Sequence, residues 1–284
     1  MKMRLSVITD ELGQDLPLAL DVCEEMRVKV VELRALWDAN VVEHPDDVLK
    51  GVKDELDRRG MEVCSIASPF LKCHIEGDGA AEGDMHSATP LGPADQWGVF
   101  DRSLEVAHLF GAPYVRTFSF WRLEDPSRAR GELTGVFREA AERAARSDLS
   151  VVLENEHACN LATGEEVAQV LEGVPSGRFG VIWDPGNEAA LDPAHFGGLG
   201  GYERVRERVM HVHLKDVDRR GNWVRIGSGV VDHPALLRRL REDGYEGALS
   251  IETHYTVQGD GARATRECVS MIRELSKRAG VELT

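Results

Sequence analysis

Strand-like and helix-like segments alternate along this chain from one end to the other, and that alternation narrows its fold more than any other feature. The strand candidates are short β-branched and aliphatic runs: RLSVITD, VKVVELR, MEVCSIASP, APYVRTFSF, LSVVLENE, RFGVIWD, MHVHLKD and GALSIETH. Each precedes a stretch with helical character, such as LPLALDVCEEM, QWGVFDRSLEVAHLF or ATRECVSMIRELSKRAG. Parallel neighbours need a crossover long enough to hold a helix, so strict alternation predicts a parallel sheet. Eight such pairs predict one α/β domain over residues 1–284, a (β/α)8 TIM barrel with a parallel eight-stranded barrel and eight outer helices. An open doubly wound sheet is the alternative, but the first strand lacks a glycine-rich phosphate loop after it. Local signals agree with the helices. Pro45 suits a first-turn position, Asp125–Pro126 reads as a cap followed by a first-turn proline, and Thr163 with Glu166 forms a capping box.

Four of the later runs stop at side chains of the metal-binding type: Glu154 in VVLENE, Asp184 in FGVIWDPGN, His213 in VMHVHLKD and Glu252 in ALSIETH. They are spaced roughly thirty to forty positions apart, about one strand–helix unit. In a closed barrel that period sets them side by side at one end, where three carboxylates and an imidazole repel one another unless a cation lies between them. Each residue also has an ordinary reading. Asp184 before Pro185 is equally a helix N-cap. His211 and His213 share one face of their strand, so one is a ligand candidate and the other packing or support. Glu154 and Glu156 share a face, with Asn155 on the other. The oxygen-rich set suits Mn²⁺, Mg²⁺ or Co²⁺ better than a cysteine-rich zinc site, with Zn²⁺ left open.

Composition sets outer bounds. A formal net charge of −15 and no basic face argue against nucleic acid as a partner. The five cysteines form no CxxC pair, and the N-terminus has no apolar signal segment. No apolar run is long enough for a membrane span, so a soluble, cytoplasmic protein is expected. Two long connections stand out: Pro69 to Asp95, with the loop character of a lid or binding element, and the stretch DVDRRGNWVRIGSGVVD after the His213 strand. His74 and His86 in the first read as solvated. Gly227-Ser228-Gly229 in the second reads first as a turn and second as an anion cradle. Trp37, Phe120 and Trp121 lie just past strand ends, where they either wall a pocket or pack.

The motifs LEN at 153–155, WDPGN at 183–187, HVHLKD at 211–216, IGSG at 226–229 and SIET at 250–253 together resemble the xylose isomerase-like TIM-barrel superfamily. The resemblance is strongest to its sugar phosphate isomerase/epimerase group. ITDE, VELR and SPF are also similar, so the likeness covers nearly the whole chain. It implies that Glu154, Asp184, His213 and Glu252 hold one divalent ion, with Mn²⁺ first, and that Glu154 and Glu252 are the catalytic acid–base pair. Lys215, Asn187, Glu32 and Arg116 fall where relatives place substrate-contacting groups. Two departures count against a strict ketose 3-epimerase: Asn187 stands where a histidine is usual, and Asn160 where a glutamate is usual. Endonuclease IV is disfavoured because the 216–230 loop lacks a DxH motif.

The implied function is a metal-dependent isomerase or epimerase acting on a small sugar or keto-polyol. The alternatives are a dehydratase of the inosose or dehydroshikimate type and a non-catalytic carbohydrate-binding barrel. A homo-oligomer is consistent with the resemblance.

Overall fold

In the computed structural model, which describes residues 2–76, 91–174 and 177–284, eight parallel strands close into a barrel. They are β1 (Lys2–Ile8), β2 (Val30–Leu33), β3 (Glu62–Ile66), β4 (Tyr114–Thr117), β5 (Ser150–Glu154), β6 (Phe179–Trp183), β7 (Val209–Leu214) and β8 (Ala248–Ile251). Each strand pairs with its neighbours in sequence, and β8 returns to β1 with Arg4 opposite Ala248 and Val7 opposite Ile251. A short strand, Glu282–Leu283, lies along the start of β1.

The helices are α1 (Leu16–Glu25), α2 (Asp46–Arg59), α3 (Gln96–Phe110), α4 (Arg130–Arg146), α5 (Gly164–Leu171), α6 (Pro185–Leu191), α7 (Gly200–Val205), α8 (His233–Glu242) and α9 (Gly261–Ala279). The one-to-one alternation breaks after β6, where two short helices replace one. Gly197 and Gly198 between them, and Gly200 and Gly201 at the head of the second, suit a turn better than a continuous helix. Pro45 takes the N-cap of α2 instead of its first turn. Asp125 accepts from Ser127 N–H at the head of a 3₁₀ turn that leads into α4, and Thr163 and Glu166 form the reciprocal box.

Strand pleating sorts the side chains. Val31, Leu33, Val151, Leu153, Val181, Trp183, Val212, Leu214, Leu249 and Ile251 join one large apolar cluster with the helices. The alternate positions, among them Glu32, Arg116, Glu154, His211, His213 and Ser250, are buried and polar. They bond across the barrel, as where His211 Nε2 meets both Glu32 and Ser250. The barrel interior is therefore a polar network wrapped in an apolar shell.

Two hairpins follow strand ends on the ligand-bearing face: Ala35–Leu36 with Ala39–Asn40, and Asp216–Val217 with Trp223–Val224. In the first, Trp37 and Asp38 take left-handed backbone conformations, with φ of 50° and 65°, as a two-residue type I′ turn requires. Trp37 is 45% exposed there, Phe120 is buried, and His74 is exposed. The middle of the long connection after β3, residues 77–90 with His86, lies outside the described residues. Among the described residues no helix is long and apolar enough to cross a membrane, and all five cysteines are free and buried.

Two glycines test how tightly the shell is packed. A Cβ on Gly164 would meet the carbonyl of Gly201 at 2.1 Å, whereas one on Gly51 in α2 would meet nothing. Gly164→Ala is expected to destabilise the protein by about 1–3 kcal/mol, and Gly51→Ala to stabilise it by about 0.5–1 kcal/mol. Urea unfolding of the two variants checks both signs.

Candidate metal centre

The ligand-type residues converge because each sits at or just past the end of a neighbouring strand. Glu154 closes β5, Asp184 follows β6, His213 is the penultimate residue of β7, and Glu252 follows β8. One ligand atom from each lies within 4.8 Å of the other three, and all four residues are buried. His213 Nδ1 stands between the two glutamates, 3.2 Å from Glu154 Oε1 and 3.5 Å from Glu252 Oε2.

The backbone that carries these groups is pinned locally. The Asn155 side chain points away from Glu154 and clamps the end of β6: its Oδ1 accepts from Asp184 N–H at 2.8 Å and its Nδ2 donates to Asp184 C=O at 2.8 Å. Asp184 combines both roles its sequence allows. Oδ1 caps α6 by accepting from Asn187 N–H at 2.9 Å, which leaves Oδ2 for the cluster. Past β8, Glu11 Oε2 accepts from Thr253 N–H, Thr253 Oγ1 and His254 N–H, fixing the turn beyond Glu252 and holding His254 at φ 53°.

Buried cations answer the carboxylates. Arg116 donates to Glu154 Oε2 at 2.9 Å and anchors its remaining nitrogens on the carbonyls of Ala67 and Ser68. Asn187 donates to Glu154 Oε1 at 3.2 Å. Arg34 spans Asp10, Glu11 and Glu252 at 2.9, 2.6 and 2.5 Å. Lys215 Nζ lies 2.6 Å from Glu252 Oε2 and 2.9 Å from Asp184 Oδ2. Glu32 has no exposed surface and lies against the far side of His213, with Oε2 at 3.0 Å from Nε2 and 2.8 Å from His211. It therefore faces the histidines that support the cluster.

Burial raises the carboxyls of Glu154 and Glu252, but nearby cations more than reverse it, His213 and Arg116 for the first and Lys215 and His254 for the second. Asp184 is different. Burial drives it up to about 6, Lys215 offsets this only in part, and the two glutamates add to the rise. Burial disfavours a charged His213, yet Glu32 and Glu154 hold its imidazole well above the ordinary histidine range. Asp184 Oδ2 has Lys215 Nζ, at 2.9 Å, as its close partner. Three crowded carboxylates, one of them undercompensated, together with an imidazole, fit a divalent cation. His213 and Glu252 also belong to two further groups that could hold an ion, Glu32 with His211 and His213, and Glu11 with Glu252 and His254. In the latter, Arg34 already supplies the positive charge.

The Gly-Ser-Gly turn is an anion cradle whose anion belongs to the chain. Asp216 Oδ2 accepts from Gly227 N–H at 2.9 Å and Gly229 N–H at 3.0 Å, and Oδ1 from Val231 N–H at 3.1 Å. Asn160 is likewise committed to backbone, donating to Ser119 and Trp121 carbonyls and accepting from Leu123 N–H. Reading the sequence alone did not single out Arg34, Glu11 or Trp223. The only hint was their position just past strand ends in VELR, ITDE and the connection after β7.

Removing Arg34 leaves three carboxylates facing one another, so Arg34→Met is expected to destabilise the fold by about 3–5 kcal/mol. Glu11 gives a pH test. Burial raises its carboxyl, but Arg34 and the Thr253 bond lower it to about 2 from an ordinary 4.5. A depressed carboxyl contributes stability that is full above about 4.5 and disappears as pH falls towards about 2, amounting to roughly 3 kcal/mol. Urea titrations across that window should show a steeper acid loss in wild type than in Glu11→Gln.

Comparison with known proteins identifies the family. The family described as xylose isomerase-like TIM barrel matches residues 20–275. An inosose dehydratase from Yersinia enterocolitica is 25% identical over 224 residues, covering 71% of this chain and 72% of that protein. Among solved structures, the IOLI protein with a bound zinc atom has a TM-score of 0.75 at 15% identity, covering 97% of this chain and 99% of that one. A D-tagatose 3-epimerase-like protein has a TM-score of 0.71 at 18% identity, covering 99% and 98%. At those identities the structural likeness is one of fold. With a closed eight-stranded parallel barrel and a match across most of its length, this chain belongs to the xylose isomerase-like TIM barrel family.

Proposed function

We propose that this protein is a divalent-metal-dependent isomerase or epimerase of a small sugar or keto-polyol, working by proton transfer through an enediolate. One observation carries the reading: Glu154 and Glu252 both approach the same His213 nitrogen, at 3.2 and 3.5 Å, from strands three positions apart in the barrel. Two carboxylates facing each other across one bound carbon can remove a proton on one side and return it on the other.

A divalent ion held by Glu154, Asp184, His213 and Glu252, Mn²⁺ by the oxygen-rich donor set, would supply a Lewis acid for the substrate's carbonyl and adjacent hydroxyl oxygens. The protein's own groups do the rest. Arg116 and Asn187 hold Glu154 in one orientation, while Arg34 and Lys215 hold Glu252. Both glutamates are kept ionised and able to accept a proton. Glu32 fixes the ring plane of His213 through Nε2, so its part is orientation in place of substrate contact. Lys215 offers an ammonium beside Glu252 that can donate a hydrogen bond to a substrate oxygen as negative charge grows there. Proton return to the opposite face of the same carbon gives epimerisation, and return to the neighbouring carbon gives isomerisation.

A second reading, dehydration, draws support from the likeness to an inosose dehydratase and from Lys215, whose ammonium can protonate a departing hydroxyl. The proton-abstraction step is common to both.

The test is an NMR screen of keto-sugars, inososes and hydroxypyruvate in D₂O with Mn²⁺. Wild type should wash deuterium into at least one of them, and a chelator should stop it. Glu154→Gln and Glu252→Gln should each slow the exchange by about 10²–10⁴-fold. Undiminished exchange in both variants would remove the two glutamates as acid and base, and loss of water from the substrate would select the dehydratase.

A further inference from the structure

Trp223 has no part in the cluster's charge balance, yet it stands directly over it. The hairpin after β7 places its indole across the barrel mouth. The ring lies 5.7 Å from His157, on the β5 side, and 5.4 Å from His254, on the β8 side, and Lys215 Nζ lies 5.3 Å from its centre. Both flanking histidines connect to the cluster. His157 Nδ1 is 3.1 Å from Asn187 Oδ1, whose amide holds Glu154, and His254 Nε2 is 3.2 Å from Glu252. The ring therefore bridges the walls that carry the two glutamates.

The hairpin is built to hold that ring in place. Its first residue, Asp216, is tied by its carboxylate to the backbone of Gly227, Gly229 and Val231. A Cβ on Gly229 would come within 2.2 Å of Asp216 Oδ1, so the cradle admits only glycine there without a shift. The tip is closed by Asp218, whose Oδ1 accepts from Arg220 N–H and Asn222 N–H. The apolar root, Val217 with Trp223, packs on Ala189 of α6, the helix that Asp184 caps.

We propose that Trp223 is the roof of the reaction chamber and a substrate-positioning residue. Its indole seals the ligand cluster from bulk water and lies against the apolar C–H face of a bound keto-polyol. The proposal rests on the metal-dependent enolisation reading above. A flat aromatic face suits a ring whose hydroxyls point to the rim, because it covers the C–H groups and leaves the oxygens to Lys215 and the carboxylates. Covering the cluster also keeps solvent from protonating an enediolate out of turn.

The test uses the full chain with Co²⁺ as probe, followed by stopped-flow absorption, in wild type and in Trp223→Phe, Trp223→Leu and Trp223→Ala. Trp223→Ala should speed Co²⁺ uptake and its removal by EDTA at least tenfold. Trp223→Phe should stay within about threefold of wild type, because a smaller ring still covers the cluster. Trp223→Leu keeps an apolar root for the hairpin and should behave like alanine, which protects the test if the alanine variant folds poorly. A general loss of stability would lower the melting temperature without this ordering of rates. Wild-type rates in both Leu and Ala variants overturn the roof while leaving the metal reading intact. Wild type that takes up no Co²⁺ overturns the metal reading and the roof with it. With the substrate found in the deuterium screen, KM should rise about tenfold in Trp223→Leu and less in Trp223→Phe, and an unchanged KM would overturn the positioning role.

Discussion

Like charges crowded into a dry barrel mouth are the constraint on which this structure depends. Glu154, Asp184 and Glu252 meet there, with Glu11, Glu32 and Glu156 close behind, all of them buried. Carboxylates so placed cannot all stay ionised without positive charge at contact distance. Arg34, Arg116 and Lys215 supply most of it, each held by two or three oxygens from different strands or loops. Compensation falls short at Asp184, whose carboxyl rises to about 6 although Lys215 Nζ lies 2.9 Å from its Oδ2. The charge deficit lies where the four ligand atoms converge. For that reason a cation is the natural complement of the cluster.

The same network explains how the barrel end is shaped. Asn155 clamps β6, Glu11 clamps the turn past β8, and Asp216 clamps the loop past β7, each by bonding backbone N–H groups that a loop would otherwise leave to solvent. These clamps lie one residue beyond a ligand, in the motif next to it, or across the barrel from it. The candidate site groups at the strand ends are thus followed by loops whose geometry is fixed by other side chains of the same motifs. Trp223 extends this logic outward, because the hairpin that carries it is anchored by the residue after Lys215.

Much of this was legible in the sequence, and what was not has a common cause. Strand and helix signals are local, so the eight runs, the Thr163–Glu166 box and the Asp125 cap are found where periodicity and end chemistry put them. The convergence of the four strand-end candidates could be read because strand–helix spacing sets angular position in a barrel. Asp184 was readable as a cap or as a ligand, and the structure shows one oxygen capping and the other turned to the cluster. Arg34 and Glu11 were not readable, since their partners lie 218 and 242 positions away and neither residue looks unusual in its own segment. Glu32 looked like a substrate-facing group because its strand position matches one, but pleat direction and both histidines turn it inward. The glycine turn carries no sign of its anion in its own residues, because that anion is Asp216 upstream. The split of one helix into α6 and α7 follows from glycines whose effect depends on the packing of Gly201 against Gly164 and Glu188.

Anomalous diffraction from crystals grown with equimolar Mn²⁺ tests the convergence of the cluster most directly. A single peak per chain should lie about 2.0–2.3 Å from one oxygen each of Glu154, Asp184 and Glu252 and one nitrogen of His213. A peak held by any other set of side chains, or no peak with the cluster intact and the Lys215 ammonium still between Asp184 and Glu252, would contradict it.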